Sequence, residues 1–257
     1  MPGKLGYFRQ SNRWIRYIVV STLVLTAALA VAIVTPSNAA AHSQHQQAVT
    51  AAQVNINADT SLGTIPGAAF GLNTAVWDPN LLDPSIPDML QKDGVKTLRY
   101  PGGSTSDVYH WQSNTTVPGQ SSTNANNTFD AFMGVAHATR AQTMITVNYG
   151  SGTPQEAAAW VQYANKGGRG YNGPVPTYTG GSSSGHRYDV KYWEIGNELY
   201  GNGTYGATWE YDLHGLGSAT YANNVVTYSQ AMKAVDPSIK VGVVLTAPSN
   251  WPSSAFP

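Results

Sequence analysis

The sequence predicts an α/β fold built on a parallel sheet, and two observations carry that expectation. From residue 70 onward, short apolar runs of strand length alternate with longer runs of helix length, the rhythm of successive βα units. The strongest helix-start signal also falls where this rhythm calls for a helix: Thr153 as cap, Pro154 at the first helical position and Glu156 three residues on.

Taken in order, strands are expected at 70–76, 97–100, 143–149, 191–196 and 240–245, and helices at 85–92, 128–140, 154–165 and 221–235. That makes four βα units and a fifth strand. Ahead of them, residues 53–58 alternate Val54, Ile56 and Ala58 with polar neighbours, the period of two expected for a strand with one buried face. We read 53–69 as that strand and its connector. Glu156 is read as structural, closing a capping box with Thr153. Residues 166–189 carry Gly167, Gly168, Gly170, Gly173, Pro174 and Pro176 and read as a flexible insertion. Glycine spacing there follows a helix rather than a strand, which argues against a dinucleotide loop.

The amino terminus reads as an address. Lys4, Arg9, Arg13 and Arg16 precede a mostly apolar run over 18–34, followed by Pro36 and small residues up to Ala40. This is the pattern of a signal peptide over 1–40, implying a secreted protein with no membrane attachment after cleavage. The alternative is an anchor at 18–34, but seventeen residues at about 1.5 Å each span roughly 25 Å, short of a hydrocarbon core of about 30 Å. Residues 41–52 form a polar leader.

Composition narrows the chemistry. Charged residues make up 11% of the 257, with Lys+Arg and Asp+Glu both 14, and no basic cluster follows Arg16. The electrostatic footprint of nucleic-acid binding is missing, so no nucleic-acid partner is expected. Zero cysteines exclude thiolate nucleophiles and Cys-ligated metals, and the six histidines show no metal-binding spacing. Oxygen and nitrogen groups must do the work.

Two stretches stand out. Leu98-Arg99-Tyr100-Pro101-Gly102-Gly103-Ser104 runs from a strand into a tight turn, and Trp193-Glu194-Ile195-Gly196-Asn197-Glu198 ends the fourth strand. In parallel α/β barrels functional residues gather where strands end and loops begin, which puts Asn197 and Glu198 in view. Glu194, four residues earlier, can face inward and pair with Arg99 or Lys191. Tyr109, Trp111, Tyr149, Tyr200 and Trp251 offer faces on which a sugar ring could stack, or serve as ordinary packing.

Together with the 150–160 stretch (GSGTPQEAAAW), these motifs resemble the arabinofuranosidase type of retaining glycoside hydrolase. That group belongs to a clan of (β/α)8 TIM barrels with the acid/base Glu ending strand 4 and the nucleophile Glu ending strand 7. The resemblance implies a barrel over 70–257, an oligo- or polysaccharide substrate, and α-L-arabinofuranoside cleavage in plant polysaccharide side chains. Xylosidase, glucuronidase and endoglucanase relatives of the clan stay open, as does a non-catalytic carbohydrate-binding relic. By position, Glu198 is similar to the general acid/base, Asn197 to the residue bonding the sugar 2-hydroxyl, and Arg99 to the arginine holding the nucleophile. Ser104 stands where the family has Asn, and Asn73 where it has a carboxylate.

Such a reaction pairs a protonated carboxyl with a second carboxylate about 5–5.5 Å away and uses water, so no cofactor is implied. A barrel of this kind takes about 250 residues, against roughly 188 after residue 70. The expectation is a barrel truncated after about strand 5, lacking the nucleophile and inactive alone, with 53–69 resembling a piece of a β-sandwich that a missing carboxyl-terminal region would complete.

Overall fold

The computed structural model describes residues 53–168, 170–179, 187–203 and 209–246. The signal, leader and possible anchor over 1–52, and Trp251, lie outside them. The chain divides into two units, 1–58 and 59–257. In the first, described residues 53–58 form no strand, and Val54 and Ile56 are 78% and 86% exposed. The expected strand is corrected here: alternation supplies a face but not a partner, and an unpaired strand cannot satisfy its backbone groups.

Among its described residues the second unit holds seven strands and four α-helices in the order β1 (Gly71–Asn73), α1 (Ile86–Lys92), β2 (Thr97–Tyr100), β3 (Tyr109–His110), β4 (Thr115–Thr116), α2 (Phe129–Thr139), β5 (Gln142–Val147), α3 (Pro154–Lys166), β6 (Tyr192–Ile195), α4 (Ser218–Val235) and β7 (Lys240–Val243). β1, β2, β5, β6 and β7 form one sheet in that order, every neighbouring pair parallel. The expected strands and helices are present with shifted ends. The sheet is open, since among the described residues β1 and β7 each pair on one side alone. β3 and β4 form a small antiparallel hairpin that the sequence reading missed, because two-residue strands leave no periodicity.

Alternation along the strands sorts the side chains. Leu98 and Tyr100 of β2, Ile145 and Val147 of β5, and Trp193 and Ile195 of β6 are buried against Phe129 and Phe132 of α2, Trp160 and Val161 of α3, and Tyr228 and Met232 of α4. Arg99, Met144, Tyr192 and Glu194 alternate with them and are only partly buried. At about 25 cal/mol per Å² of apolar surface, the aromatic layer dominates stabilisation.

Helix ends follow local chemistry. Thr128 and Thr153 cap α2 and α3, their hydroxyls accepting the amides of Ala131 (3.2 Å) and Glu156 (3.1 Å). The capping box is only half formed, because the Glu156 carboxylate meets His110 Nδ1 at 3.0 Å instead. That contact raises the His110 pKa. Asn165 ties the end of α3 to the entry of β6 through Val190, donating to its carbonyl at 2.9 Å and accepting its amide at 2.7 Å. Of the 166–189 segment, Thr177 is pinned by its amide to the Gln112 carbonyl at 2.8 Å.

Candidate active site

Because all five strands run the same way, their carboxyl ends share one rim. There the ladder extends past the strands: Thr74 and Val76 amides bond the Arg99 and Pro101 carbonyls (both 2.9 Å), and Gly196 bonds Val147 (3.1 Å). The Pro101–Gly103 turn fits this rim only with glycine at 102, where φ is +100° and a Cβ would collide with the Thr74 carbonyl oxygen.

Arg99 is the hub of the rim. Its Nε donates to Glu194 Oε2 at 2.7 Å, Nη2 to Asn197 Oδ1 at 3.1 Å and Nη1 to Asn73 Oδ1 at 3.4 Å. One guanidinium therefore ties together β1, β2 and β6. Its charge is offset by Glu194, whose carboxylate also accepts from the Thr146 hydroxyl at 2.9 Å. The inward pairing expected of Glu194 is with Arg99 rather than Lys191.

Asn197 is 8% exposed and fixed on every side. Its amide N–H donates to Asp107 Oδ2 at 2.8 Å, and its side-chain amide reaches Glu210 Oε2 at 3.5 Å. The chain turns sharply around it, with φ +73° at Gly196 and +37° at Glu198. At 196 a Cβ would collide with the Leu199 side chain and press on Tyr149. At Glu198 a left-handed backbone is held in a residue that rarely adopts it, a strain of order 1–3 kcal/mol that clusters at functional sites. Glu198 itself is exposed, and the neighbouring Tyr200 phenol has its pKa pushed up to about 12 by burial and then by the Glu198 carboxylate.

Two acids that the sequence reading left without a role complete the site. Asp107 is fully buried after the Pro-Gly-Gly turn, and Glu210, in the β6–α4 connection, is 6% exposed and accepts from the Ser104 hydroxyl at 2.8 Å. Ser104, Trp209, Glu210 and Tyr211 are among the residues lining a cleft of about 220 Å³. The available signal was scarcity, since Glu210 is one of only four glutamates.

The aromatic expectations are revised. Trp111 is 1% exposed, stacked on Trp160 at 5.7 Å with an interplanar angle of 8°. Tyr149 is fully buried, with its hydroxyl bonded to Asn224 and its ring 4.3 Å from His214. Tyr109 is also buried. None of the three leaves a face for a sugar, because their strand-end positions point into the helix-covered layer. An exposed aromatic beside Glu210 is Trp209, 54% exposed and edge-on to the half-buried Tyr200 at 5.9 Å.

A larger cavity of about 740 Å³ lies at the opposite end, where Gln142, Thr143, Lys191 and Tyr192 begin their strands. It contains none of these groups. Among the described residues no three His, Cys, Asp or Glu side chains converge to hold a metal ion, and no helix is long and apolar enough to cross a membrane.

No family model matches the chain. A probable α-L-arabinofuranosidase C of Aspergillus fumigatus is 27% identical over 192 residues, covering 69% of this chain and 35% of its own. The homologues are α-L-arabinofuranosidases. Among solved structures, a family 51 α-L-arabinofuranosidase from Bifidobacterium longum superposes with a TM-score of 0.56 at 22% identity, over 73% of this chain and 40% of the other. The Thermotoga maritima α-L-arabinofuranosidase, solved as an arabinose complex, gives 0.50 at 27%, over 70% and 37%. Over this span the chain is similar to glycosidases, and its parallel α/β sheet matches the fold of these structures. It spans about a third of the length of the curated relatives it matches.

Proposed function

We propose that this chain carries the arabinofuranoside-recognising rim of a secreted retaining glycoside hydrolase. The observation that carries the reading is the Arg99 hub, which brings Asn73, Glu194 and Asn197 together at the strand ends and sets Glu198 beside them. Glu198 is the general acid/base: exposed on the rim, it can reach a leaving-group oxygen and exchange protons with water. Asn197, locked by Arg99 and Asp107, presents its amide to a sugar hydroxyl. Asn73 and Ser104 line the approach, and Trp209 takes the stacking role first given to Trp111 and Tyr149. The five strands are the leading part of a (β/α)8 barrel, and residues 1–40 export it.

The double displacement needs a second carboxylate aimed at the anomeric carbon. Glu194 is neutralised by Arg99, and Asp107 and Glu210 are buried. None of these described acids is free to serve as that carboxylate, so we read the rim as a sugar-binding half-site that does not turn over by itself, with a carbohydrate-binding relic as the second reading. Calorimetric titration with an aryl α-L-arabinofuranoside and the matching β-D-xylopyranoside tests this. The expected result is saturable binding that favours the arabinofuranoside, with no aryl alcohol released. Equal binding of both sugars, or turnover that disappears in Glu198→Ala, would contradict it.

A further inference from the structure

Trp77 stands four residues beyond Asn73, past the carboxyl end of β1, and its indole is 43% exposed. No step of the proposed reaction uses it. A lone apolar residue on a surface is ordinary and by itself carries no meaning. What sets this one apart is the backbone beneath it, which buried groups hold on both sides.

Asn127, only 1% exposed, commits its side-chain amide to the two carbonyls that flank Trp77, donating to Val76 at 3.0 Å and to Asp78 at 2.6 Å. The Val76 carbonyl accepts a second bond from the Asn124 amide at 3.0 Å, and the Val76 amide donates to the Pro101 carbonyl at 2.9 Å. The Val76 side chain is wholly buried. A large ring is thus presented to solvent from a backbone that cannot drift.

The tip of that ring reaches the turn at the end of β2. A Cβ at Gly103 would sit 3.8 Å from Trp77 Cη2, against the indole, so glycine there leaves the ring uncovered. The next residue, Ser104, shares a cleft with the exposed Trp209. Two exposed indoles therefore meet successive residues of one turn.

They are not placed for the same sugar ring. Along the sheet β1 and β6 lie three strand spacings apart, roughly 14 Å at about 4.8 Å each. A ring seated at Asn197 and Glu198 does not span that distance, which leaves Trp77 to meet a neighbouring ring of the same ligand. The chemistry suits a neutral sugar, whose C–H face lies flat on an indole while its hydroxyls stay in water. Because the indole is already fixed, little freedom is lost on contact.

We propose that Trp77 is the platform for a second sugar ring, so that the rim takes an oligosaccharide laid across the 101–104 turn rather than a single arabinofuranose. The sugar-binding function proposed above is its premise; the length of the ligand and the role of Trp77 are what it adds.

The test is calorimetric titration of the full 257-residue chain with methyl α-L-arabinofuranoside and with arabinotriose, in wild type, Trp77→Ala and Trp77→Phe. Wild type should bind arabinotriose about tenfold more tightly than the methyl glycoside, equivalent to about 1.4 kcal/mol from the added ring contact. Trp77→Ala should bring the ratio of the two affinities to about one, and Trp77→Phe should recover part of the gain. In wild-type NMR spectra the Trp77 indole N–H signal should move with arabinotriose and hold still with the methyl glycoside. That measurement decides the matter should both variants misfold.

Equal affinity of wild type for the two ligands, or a gain that Trp77→Ala keeps, would overturn the platform and leave the single-sugar rim standing. A Trp77 indole signal that ignores arabinotriose would do the same. Binding of neither ligand would overturn the rim, and the platform with it.

Discussion

Arg99 shows how much one residue can organise. Its three hydrogen bonds link three strand ends, and its charge is the partner of Glu194, whose side chain is 22% exposed. Arg99→Ala leaves that carboxylate half-buried and unpaired, a loss of about 1–3 kcal/mol. Arg99→Lys keeps the charge but not the planar fork that spans Glu194 and Asn197. Denaturant melts should therefore show Arg99→Ala as the less stable variant, while both variants lose arabinofuranoside affinity. Lysine binding the sugar like the wild type would mean that charge alone, and not the fork, sets the site. Arg99, Asn197 and Glu198 were legible in the sequence because each stands in a strand-end motif. Asp107 and Glu210 were not, since Asp107 reaches Asn197 across 90 positions and Glu210 reaches Ser104 across 106, and no local pattern announces either contact.

Among the elements, the strands read most faithfully where both signals agreed. β2 falls at 97–100 as expected, and α3 begins at the Pro154 that its cap predicts. What the pattern does not carry is which face of a strand end meets helices and which meets the rim. Trp111 and Tyr149 were assigned to the wrong side for that reason, and the hairpin of β3 and β4 was too short to leave a period. The distinction is measurable. Trp111→Ala removes a fully packed indole and should cost about 3–5 kcal/mol of stability. Trp209→Ala, at a half-exposed ring, should stay within about 1 kcal/mol yet weaken sugar binding several-fold. Chemical denaturation and calorimetric titration of both variants check this, and the opposite pattern would restore Trp111 as the stacking platform.

In the larger unit the sheet is open among the described residues, with β1 and β7 as edges and Leu72, Val243 and Leu245 exposed at or just beyond them. Unpaired edges and apolar side chains of this kind invite further strands or association. The sequence conveyed the five strands of the sheet and their parallel direction. It did not convey how the strand ends converge, because the Arg99 hub depends on register between strands 26 and 95 residues apart.

The account's central claim is that sugar is held at the carboxyl rim of the strands. The most direct test is to map amide and side-chain chemical shifts while adding an α-L-arabinofuranoside. Shifts should concentrate at Asn73, Arg99, Asn197, Glu198 and Trp209. Shifts gathered instead around Gln142, Thr143 and Lys191, at the far end of the sheet, would contradict it.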